Sequence, residues 1–265
     1  MIRKYVDMFC MMPKFRGLSL HKLMKKYDNF VFDLYGTLID IHTDEYADET
    51  WKKFVSYLDS QNVKHPTIEV LREDFFSLDK TYRQRCTQYE YPEIDILDVY
   101  EELLIRYGNQ VQRGVSNKRD ENIIGEDQLE RLSYAFRESS REYMQLFTGV
   151  EEFFRCLKTN DKKIFLLSNA QASYTEPEIK SLGLDKWFDD IRISSKEGCM
   201  KPDRSFYDVL IERNCLDRRK TVMFGDSYEN DYLGAKEADI AGVWLNGKIG
   251  TDSECFYRKC MEASI

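Results

Sequence analysis

Four short segments of the chain carry side chains that could act together on an anionic group. They are Phe32–Leu38 (FDLYGTL), Leu167–Asn169 (LSN), Met200–Asp203 (MKPD) and Phe224–Asp231 (FGDSYEND). Together they supply a carboxylate that could act as a nucleophile, a hydroxyl group, an ammonium group and further carboxylates. Covalent catalysis with electrostatic stabilisation of a transferred anion needs this combination of groups.

Each of these groups has a chemical role that its type suggests. Asp33 is the candidate nucleophile, because a carboxylate can form a covalent intermediate. Asp226 would repel Asp33 unless a cation or the ammonium group of Lys201 lies between them. Magnesium prefers one or two carboxylates, water and phosphate oxygens, so we predict Mg²⁺ as the cofactor. Ser168 and nearby backbone N–H groups could hold further phosphate oxygens, and Gly36 permits a tight turn just past Asp33.

Five short apolar runs predict the strands that position these segments. They are Phe30–Leu34, Ile164–Leu167, Ile191–Ser194, Val222–Phe224 and Gly242–Leu245. The runs are mostly continuous rather than alternating, which favours a parallel sheet covered on both faces. The helical stretches that precede the last four are Glu151–Lys158, Glu178–Leu182, Ser205–Arg213 and Gly234–Ala238. This alternation predicts an α/β fold with a Rossmann-like parallel sheet, whose ligands bind beyond the carboxyl ends of the strands.

The stretch from about residue 43 to residue 147 has a different character. It is rich in Glu, Arg, Tyr and Leu, and three groups of apolar residues have helical spacing. These groups are Trp51, Phe54, Val55 and Leu58; Val99, Leu103, Leu104 and Tyr107; and Leu129, Leu132, Phe136 and Tyr143. Between Gly108 and Asp127 a polar stretch with glycines predicts a loop.

We therefore predict a division of the chain into three parts. Residues 43–147 form a mainly helical cap inserted into a core of residues 28–42 and 148–265. Residues 1–27 form an N-terminal extension, either an extra helix or a loose arm.

Composition and charge restrict the class of partner. The 265 residues are 42% hydrophobic, which excludes global disorder, and the longest apolar runs have four or five residues, whereas a membrane helix needs about 20. A net charge of −8 argues against general binding to nucleic acid, but it leaves a small anionic substrate open. The seven cysteines include no CxxC pair, which predicts reduced thiols and a cytoplasmic location. The apolar stretch Met8–Met12 is too short for the core of a signal peptide.

Taken together, the four segments resemble the four motifs of the haloacid dehalogenase-like (HAD) hydrolase superfamily. Asp33, Ser168, Lys201 and Asp226 occur in the family's order, at separations of 135, 33 and 25 residues. The resemblance covers roughly residues 29–40 and 162–246, and the helical insertion matches the family's cap domain in position only.

The resemblance implies a role for each matching residue. Asp33 would be the nucleophile, and Lys201 would steady both the nucleophile and the intermediate. The phosphoryl or carboxyl group of the substrate would be bound by Ser168, Asn169 and Lys201.

The implied metal ligands are a second set. Asp226 would bind magnesium together with Asp33 and the backbone carbonyl group of Tyr35. Asp231 would lie near the metal or pair with Lys201.

One position departs from the family's phosphatases. Most of them carry a second aspartate two residues after the nucleophile, as general acid and base, and here that residue is Tyr35. A tyrosine with a pKa of about 10 is a poor base at neutral pH. With tyrosine at this position, the first motif resembles that of the 2-haloacid dehalogenases, whose halide leaving group needs no proton. Gly225–Ser227 followed by Asp231 is similar to the metal-binding motif of the phosphatases instead.

Three hypotheses follow from this mixture. The favoured one is magnesium-dependent hydrolysis of a small phosphorylated metabolite through an aspartyl-phosphate, slow or limited to good leaving groups, with Tyr35 donating a hydrogen bond to the leaving oxygen. The alternative on the same fold is carbon–halogen hydrolysis of the 2-haloacid dehalogenase type, which would be indifferent to EDTA. A non-catalytic ligand-binding protein of this fold is the third hypothesis.

Overall fold

The computed structural model describes residues 20–114 and 123–245 of the chain. The α-helices in this part are α1 (Leu20–Lys26), α2 (Asp48–Ser60), α3 (Ile68–Arg85), α4 (Ile96–Arg106), α5 (Glu126–Ser140), α6 (Val150–Thr159), α7 (Ala172–Ser181), α8 (Ser194–Glu197), α9 (Arg204–Arg213) and α10 (Gly234–Glu237). The strands are β1 (Asn29–Phe32), β2 (Ile39–Thr43), β3 (Gln110–Val111), β4 (Ile123–Ile124), β5 (Arg141–Leu146), β6 (Lys163–Ser168), β7 (Asp190–Ile193), β8 (Thr221–Gly225) and β9 (Ala241–Trp244).

A five-stranded sheet in the order β7–β6–β1–β8–β9 forms the centre of the protein. All four neighbouring pairs are parallel. Each strand overlaps one of the five apolar runs, so the predicted α/β class with a parallel, Rossmann-like sheet is confirmed. β1 lies at the centre of the sheet, and its last residue Phe32 is in register with Leu166 and Phe224 of the two flanking strands.

Side chains from β1 are buried on both faces of the sheet. Phe30 and Phe32 point to one face, where Phe32 stacks on Phe224 with ring centroids 5.0 Å apart and contacts Phe154 of α6 at 5.1 Å. Val31 points to the other face and packs in a cluster that includes Phe206 of α9. This two-sided burial explains the continuous apolar run, because both sides of a strand in a covered parallel sheet face the core.

Helices α2–α5 pack around an apolar core of their own. Trp51, Phe54, Phe75, Tyr100 and Phe136 lie in this cluster, and the rings of Trp51 and Phe136 are 5.0 Å apart. Its helices α2, α4 and α5 match the three predicted patterns. Helix α3 was not predicted, because its buried residues are few (Leu71, Phe75 and Leu78) and lie among charged residues.

The third predicted helical pattern, from Leu129 to Tyr143, extends beyond the end of the helix that it predicts. α5 ends at Ser140, and Tyr143 lies in β5, which pairs antiparallel with β2 so that Tyr143 faces His42. The prediction that Tyr143 shares a helix with Leu129 is therefore wrong. The backbone of β5 bonds to β2, and Tyr143 is 47% exposed, so its ring does not contribute to the helical core.

The β2–β5 ladder connects the sheet to helices α2–α5. The chain leaves the sheet through β2 and returns through β5, and the predicted domain limits at residues 43 and 147 lie at the ends of this ladder. In the predicted loop, β3 and β4 form a short parallel pair, while residues 115–122 lie outside the described residues. Of the predicted N-terminal extension, residues 1–19 also lie outside them, and α1 follows.

None of the helices in the described ranges combines the length and the apolar character that crossing a bilayer requires.

The aromatic contacts beneath β1 should dominate the stability of the core. Phe154 is fully buried, so Phe154→Ala should lower the free energy of unfolding by about 3–5 kcal/mol, because it removes apolar contacts and leaves a cavity. Ile105→Ala, at a site that is 51% exposed, should change it by less than about 0.5 kcal/mol. Urea denaturation followed by circular dichroism measures both, and equal losses in the two variants would contradict this assignment of the core.

Candidate active site

The ends of three neighbouring strands bring the predicted site residues together. Asp33 follows β1, Ser168 is the last residue of β6 and Asp226 follows β8. The backbone N–H of Asp33 donates to the carbonyl oxygen of Phe224 at 2.9 Å, which extends the pairing of β1 with β8 by one step. Because parallel strands end at the same edge of a sheet, these three side chains lie at one edge.

Lys201 forms the centre of a buried ionic cluster. Its Nζ donates to Oδ1 of Asp33 at 2.7 Å and to Oδ1 of Asp231 at 2.6 Å. The Lys201 side chain is only 2% exposed. Burial alone would lower the pKa of Lys201, but the charges of Asp231 and Asp33 outweigh burial and raise it above its usual value. Lys201 therefore stays an ammonium group at neutral pH.

Asp226 completes a group of three carboxylates with Asp33 and Asp231. Each offers an oxygen, and these oxygens lie within 4.8 Å of one another. Burial, followed by the negative charges of Asp33 and Asp231, raises the pKa of Asp226 to about 7. When all three carboxylates are ionised, their charge exceeds the single positive charge of Lys201, and a divalent cation would relieve their repulsion. The all-oxygen donor set is the kind that magnesium prefers.

Hydrogen bonds fix the backbone and the side chains of the acidic residues. The indole N–H of Trp244 donates to the backbone carbonyl of Asp226 at 2.9 Å, and the hydroxyl of Thr37 donates to its carboxylate at 3.4 Å. The N–H of Ser227 donates to Oδ2 of Asp231 at 2.9 Å. The positions of these carboxylates are therefore set by the fold rather than by Lys201 alone.

Two glycines allow the carboxylates to approach the backbone. Gly36 has a φ of +77°, and a Cβ atom there would lie 2.5 Å from Oδ2 of Asp226. A Cβ atom on Gly225 would collide with the carboxylate of Asp231. Both positions therefore require glycine for a steric reason, and Gly36 also requires it for its left-handed backbone conformation.

Asn169 uses its side-chain amide to hold the segment that carries Lys201. Its Nδ2 donates to the carbonyl oxygen of Lys201 at 2.8 Å, and its Oδ1 accepts from the N–H of Lys201 at 2.7 Å. The predicted contact of Asn169 with phosphate stays a prediction, while the structure shows this bridge to the backbone. Asp203 caps the start of α9, since its side chain accepts from the N–H of Ser205 at 2.9 Å.

Ser168 stands out among the buried polar groups. Its Oγ is buried and has no hydrogen-bond partner among the described residues. An unpaired buried hydroxyl group is costly, by about 1–3 kcal/mol. A polar group of a bound substrate at the strand ends would satisfy it.

Tyr35 is the one predicted site residue whose side chain joins a different set of groups. Its hydroxyl donates to Oε2 of Glu178 at 2.5 Å, and the hydroxyl oxygen of Thr175 lies 3.0 Å away. The guanidinium group of Arg137 lies 5.0 Å from the ring centroid. Burial and the negative charge of Glu178 raise the pKa of Tyr35 well above its usual value. The structure thus brings Asp33, Ser168, Asn169, Lys201, Asp226 and Asp231 together and directs the Tyr35 hydroxyl to α7.

Sequence reasoning gave no role to Thr37, Trp244 or Glu178. Thr37 lies within the first motif, and Trp244 ends the strand next to β8, so position in the motif and in the sheet could have indicated both. Glu178 lies ten residues after Ser168, within a helix, and no local pattern marks it as the partner of Tyr35.

Comparison with known proteins agrees with the predicted family and fold. The sequence profile of the haloacid dehalogenase-like hydrolases matches residues 27–239. The pyrimidine 5'-nucleotidase YjjG of Escherichia coli K12 is 29% identical over 117 residues, which cover 44% of this chain and 52% of YjjG. A phosphoserine phosphatase of Thermus thermophilus is 24% identical over 120 residues, which cover 45% of this chain and 48% of that enzyme. The chain thus spans about half the length of the curated relatives it matches.

A solved structure shows the same fold over a larger part of the chain. The 2-haloacid dehalogenase of Pseudomonas syringae pv. Tomato DC3000 superposes with a TM-score of 0.57 at 17% identity, covering 84% of this chain and 89% of that one. At this identity the likeness concerns the fold alone. The profile match extends over most of the chain, from β1 to α10. The chain therefore belongs to the haloacid dehalogenase-like hydrolases.

Proposed function

We propose that this protein is a magnesium-dependent phosphatase that hydrolyses small phosphorylated metabolites through an aspartyl-phosphate on Asp33. The observation that carries the proposal is the convergence of Asp33, Asp226 and Asp231 around Lys201 beyond the ends of β1 and β8. The names of the relatives support a phosphorylated substrate, since they include a pyrimidine 5'-nucleotidase and a phosphoserine phosphatase.

Asp33 and Asp226 would hold the metal, together with the backbone carbonyl of Tyr35. Asp231 would stay near it, because its carboxylate is already bound by Lys201 and the N–H of Ser227. When bound, Mg²⁺ would neutralise the carboxylates and draw negative charge from the phosphate oxygens.

The remaining groups position and activate the nucleophile. Lys201 binds Oδ1 of Asp33 and fixes the orientation of the carboxylate. A carboxylate oxygen of Asp33 attacks phosphorus, and the bond from phosphorus to the leaving oxygen breaks, while Lys201 and the hydroxyl of Ser168 stabilise the negative charge on the transferred group. Water then attacks the acyl phosphate, the bond between phosphorus and Asp33 breaks, and phosphate leaves.

Helices α2–α5 would act as the cap over this site. The start of α4 contacts the core just after Asn169, where the N–H of Ile96 donates to Gln171 at 2.8 Å. The hydroxyl of Ser194 donates to Glu93 at 3.0 Å in the same region. These buried contacts support a cap that shields the reacting groups from bulk water and selects the substrate.

The acidic cluster also separates this proposal from the dehalogenase alternative. Tyr35 was the residue that favoured a dehalogenase, and its hydroxyl is bound to Glu178. Asp226 lies within the same carboxylate group as Asp33, an arrangement that suits a divalent cation. The balance therefore favours phosphoryl transfer.

Removing the nucleophile should abolish turnover. Asp33→Asn should lower the Mg²⁺-dependent release of phosphate from 4-nitrophenyl phosphate by at least about 10³-fold, because the amide cannot form the covalent intermediate. Asp161→Asn is a matched control, since Asp161 is exposed in a turn before β6 with a φ of 56°, which asparagine tolerates. EDTA should also stop the wild-type reaction. Undiminished turnover in the Asp33→Asn protein would refute the role of Asp33.

Magnesium affinity should depend on pH through Asp226. The pKa of its carboxyl group is raised to about 7, so a proton competes with the metal below that pH and leaves as the pH rises. Isothermal titration should show Mg²⁺ binding about tenfold weaker near pH 6 than near pH 8. Asp226→Asn should bind weakly at both values, whereas Asp161→Asn should behave as the wild type does. Equal affinities at the two pH values in the wild type would count against Asp226 as a ligand.

A further inference from the structure

We propose that the site acts on phosphoryl groups whose leaving group departs without being protonated. This class comprises acyl phosphates, phosphoanhydrides and phosphoesters of acidic alcohols, as opposed to esters of ordinary aliphatic alcohols. The inference deepens the proposed phosphatase function and rests on it.

The first observation is that the Tyr35 hydroxyl is bound to Thr175 and Glu178 of α7. Tyr35 lies in the tight turn that follows Asp33, where the N–H of Gly36 donates to the carbonyl of Ile39 at 2.8 Å. The N–H of Ile39 donates in turn to the carbonyl of Leu34 at 3.0 Å. The backbone on both sides of Tyr35 is thus fixed, and its side chain extends to Glu178 on α7.

The second observation is that Glu178 anchors Tyr35 within a larger buried network. Glu178 is fully buried, and its Oε1 accepts from Arg137 at 2.9 Å and from Arg141 at 3.0 Å. The Arg137 guanidinium group also lies over the rings of Tyr35 and Tyr174, at 5.0 Å and 4.7 Å. Turning Tyr35 toward the substrate would break its bond to Oε2 of Glu178 and its contact with Arg137. The hydroxyl is therefore not positioned to protonate a leaving oxygen.

The third observation concerns the donors around Asp33 itself. Lys201 donates to Asp33 and Asp231, and the hydroxyl of Thr37 donates to Asp226. The hydrogen bonds from Lys201 and Thr37 therefore fix the positions of the carboxylates. Among the described residues, each of these donors is thus directed at a carboxylate of the cluster.

Transfer of such a phosphoryl group to Asp33 needs no general acid. A carboxylate oxygen of Asp33 forms a bond to phosphorus, the bond from phosphorus to the leaving oxygen breaks, and the electron pair stays on that oxygen. A carboxylate, phosphate or acidic phenolate carries this charge easily, whereas an aliphatic alkoxide does not. In the second step water attacks phosphorus, the Asp33 carboxylate leaves, and the proton of the water passes to the phosphate product or to solvent.

The test is a series of substrates that differ in the acidity of the leaving group. The full chain with Mg²⁺ is assayed on acetyl phosphate, on substituted aryl phosphates and on ethyl phosphate. We expect kcat/KM to fall by more than about 10²-fold from 4-nitrophenyl phosphate to phenyl phosphate, whose phenol has a pKa of about 10, and to be lowest for ethyl phosphate. We expect acetyl phosphate to rank with the most reactive substrates.

Two variants of Tyr35 test whether the side chain at this position supplies a proton to the leaving group. Tyr35→Phe removes only the hydroxyl and should keep the same slope of log kcat/KM against leaving-group pKa. Tyr35→Asp brings a shorter acidic side chain to this position and should flatten the slope by raising turnover of the poorer substrates. Because a slope compares substrates on one protein, a loss of folded enzyme in either variant does not alter it.

The outcomes separate this inference from the proposed function. Ethyl phosphate turned over as fast as 4-nitrophenyl phosphate, or a steeper slope in Tyr35→Phe, would overturn the inference and leave the phosphatase standing. No Mg²⁺-dependent turnover of even the most reactive phosphate would overturn both.

Discussion

The bridge from Lys201 to two buried carboxylates is the interaction on which the rest of the site depends. Burying an ammonium group is strongly unfavourable unless it is paired, and leaving either partner alone costs about 3–5 kcal/mol. Asp33 and Asp231 supply that pairing, and Asn169 holds the Lys201 backbone in place. The cluster still carries excess negative charge because Asp226 lies against it. The fold therefore builds a site that is stable internally and that a divalent cation would complete electrostatically.

The sequence was sufficient to predict this cluster because local signals and sheet topology agree. Short apolar runs indicated the strands, and a parallel sheet places the residues that follow them at one edge. Asp33, Ser168 and Asp226 could be brought together on that basis alone. The glycines at positions 36 and 225 are consistent with the same geometry, since any side chain there would collide with a carboxylate.

Other features depend on contacts between residues that no local pattern connects. The Tyr35 side chain is positioned by Glu178, which lies 143 residues further along the chain, so its direction could not be read from the first motif. Helix α3 was missed because charged residues surround its few buried ones, and Tyr143 was misplaced because an antiparallel partner strand, rather than periodicity, decides its conformation. Glu178 also binds Arg137 of α5 and Arg141 of β5, so it links the loop after Asp33 to the helical insertion. The sequence thus predicts the cluster of carboxylates around Lys201, but not the network that orients the insertion against it.

The central claim is that Asp33 becomes covalently phosphorylated during turnover. The most direct measurement is rapid acid quenching of the enzyme with Mg²⁺ and acetyl phosphate, followed by proteolysis and mass spectrometry. The account predicts a phosphoryl group on the peptide that contains Asp33, removed by hydroxylamine as expected for an acyl phosphate. Turnover with no modified Asp33 peptide at any quench time, or a phosphoryl group on a different residue, would contradict it.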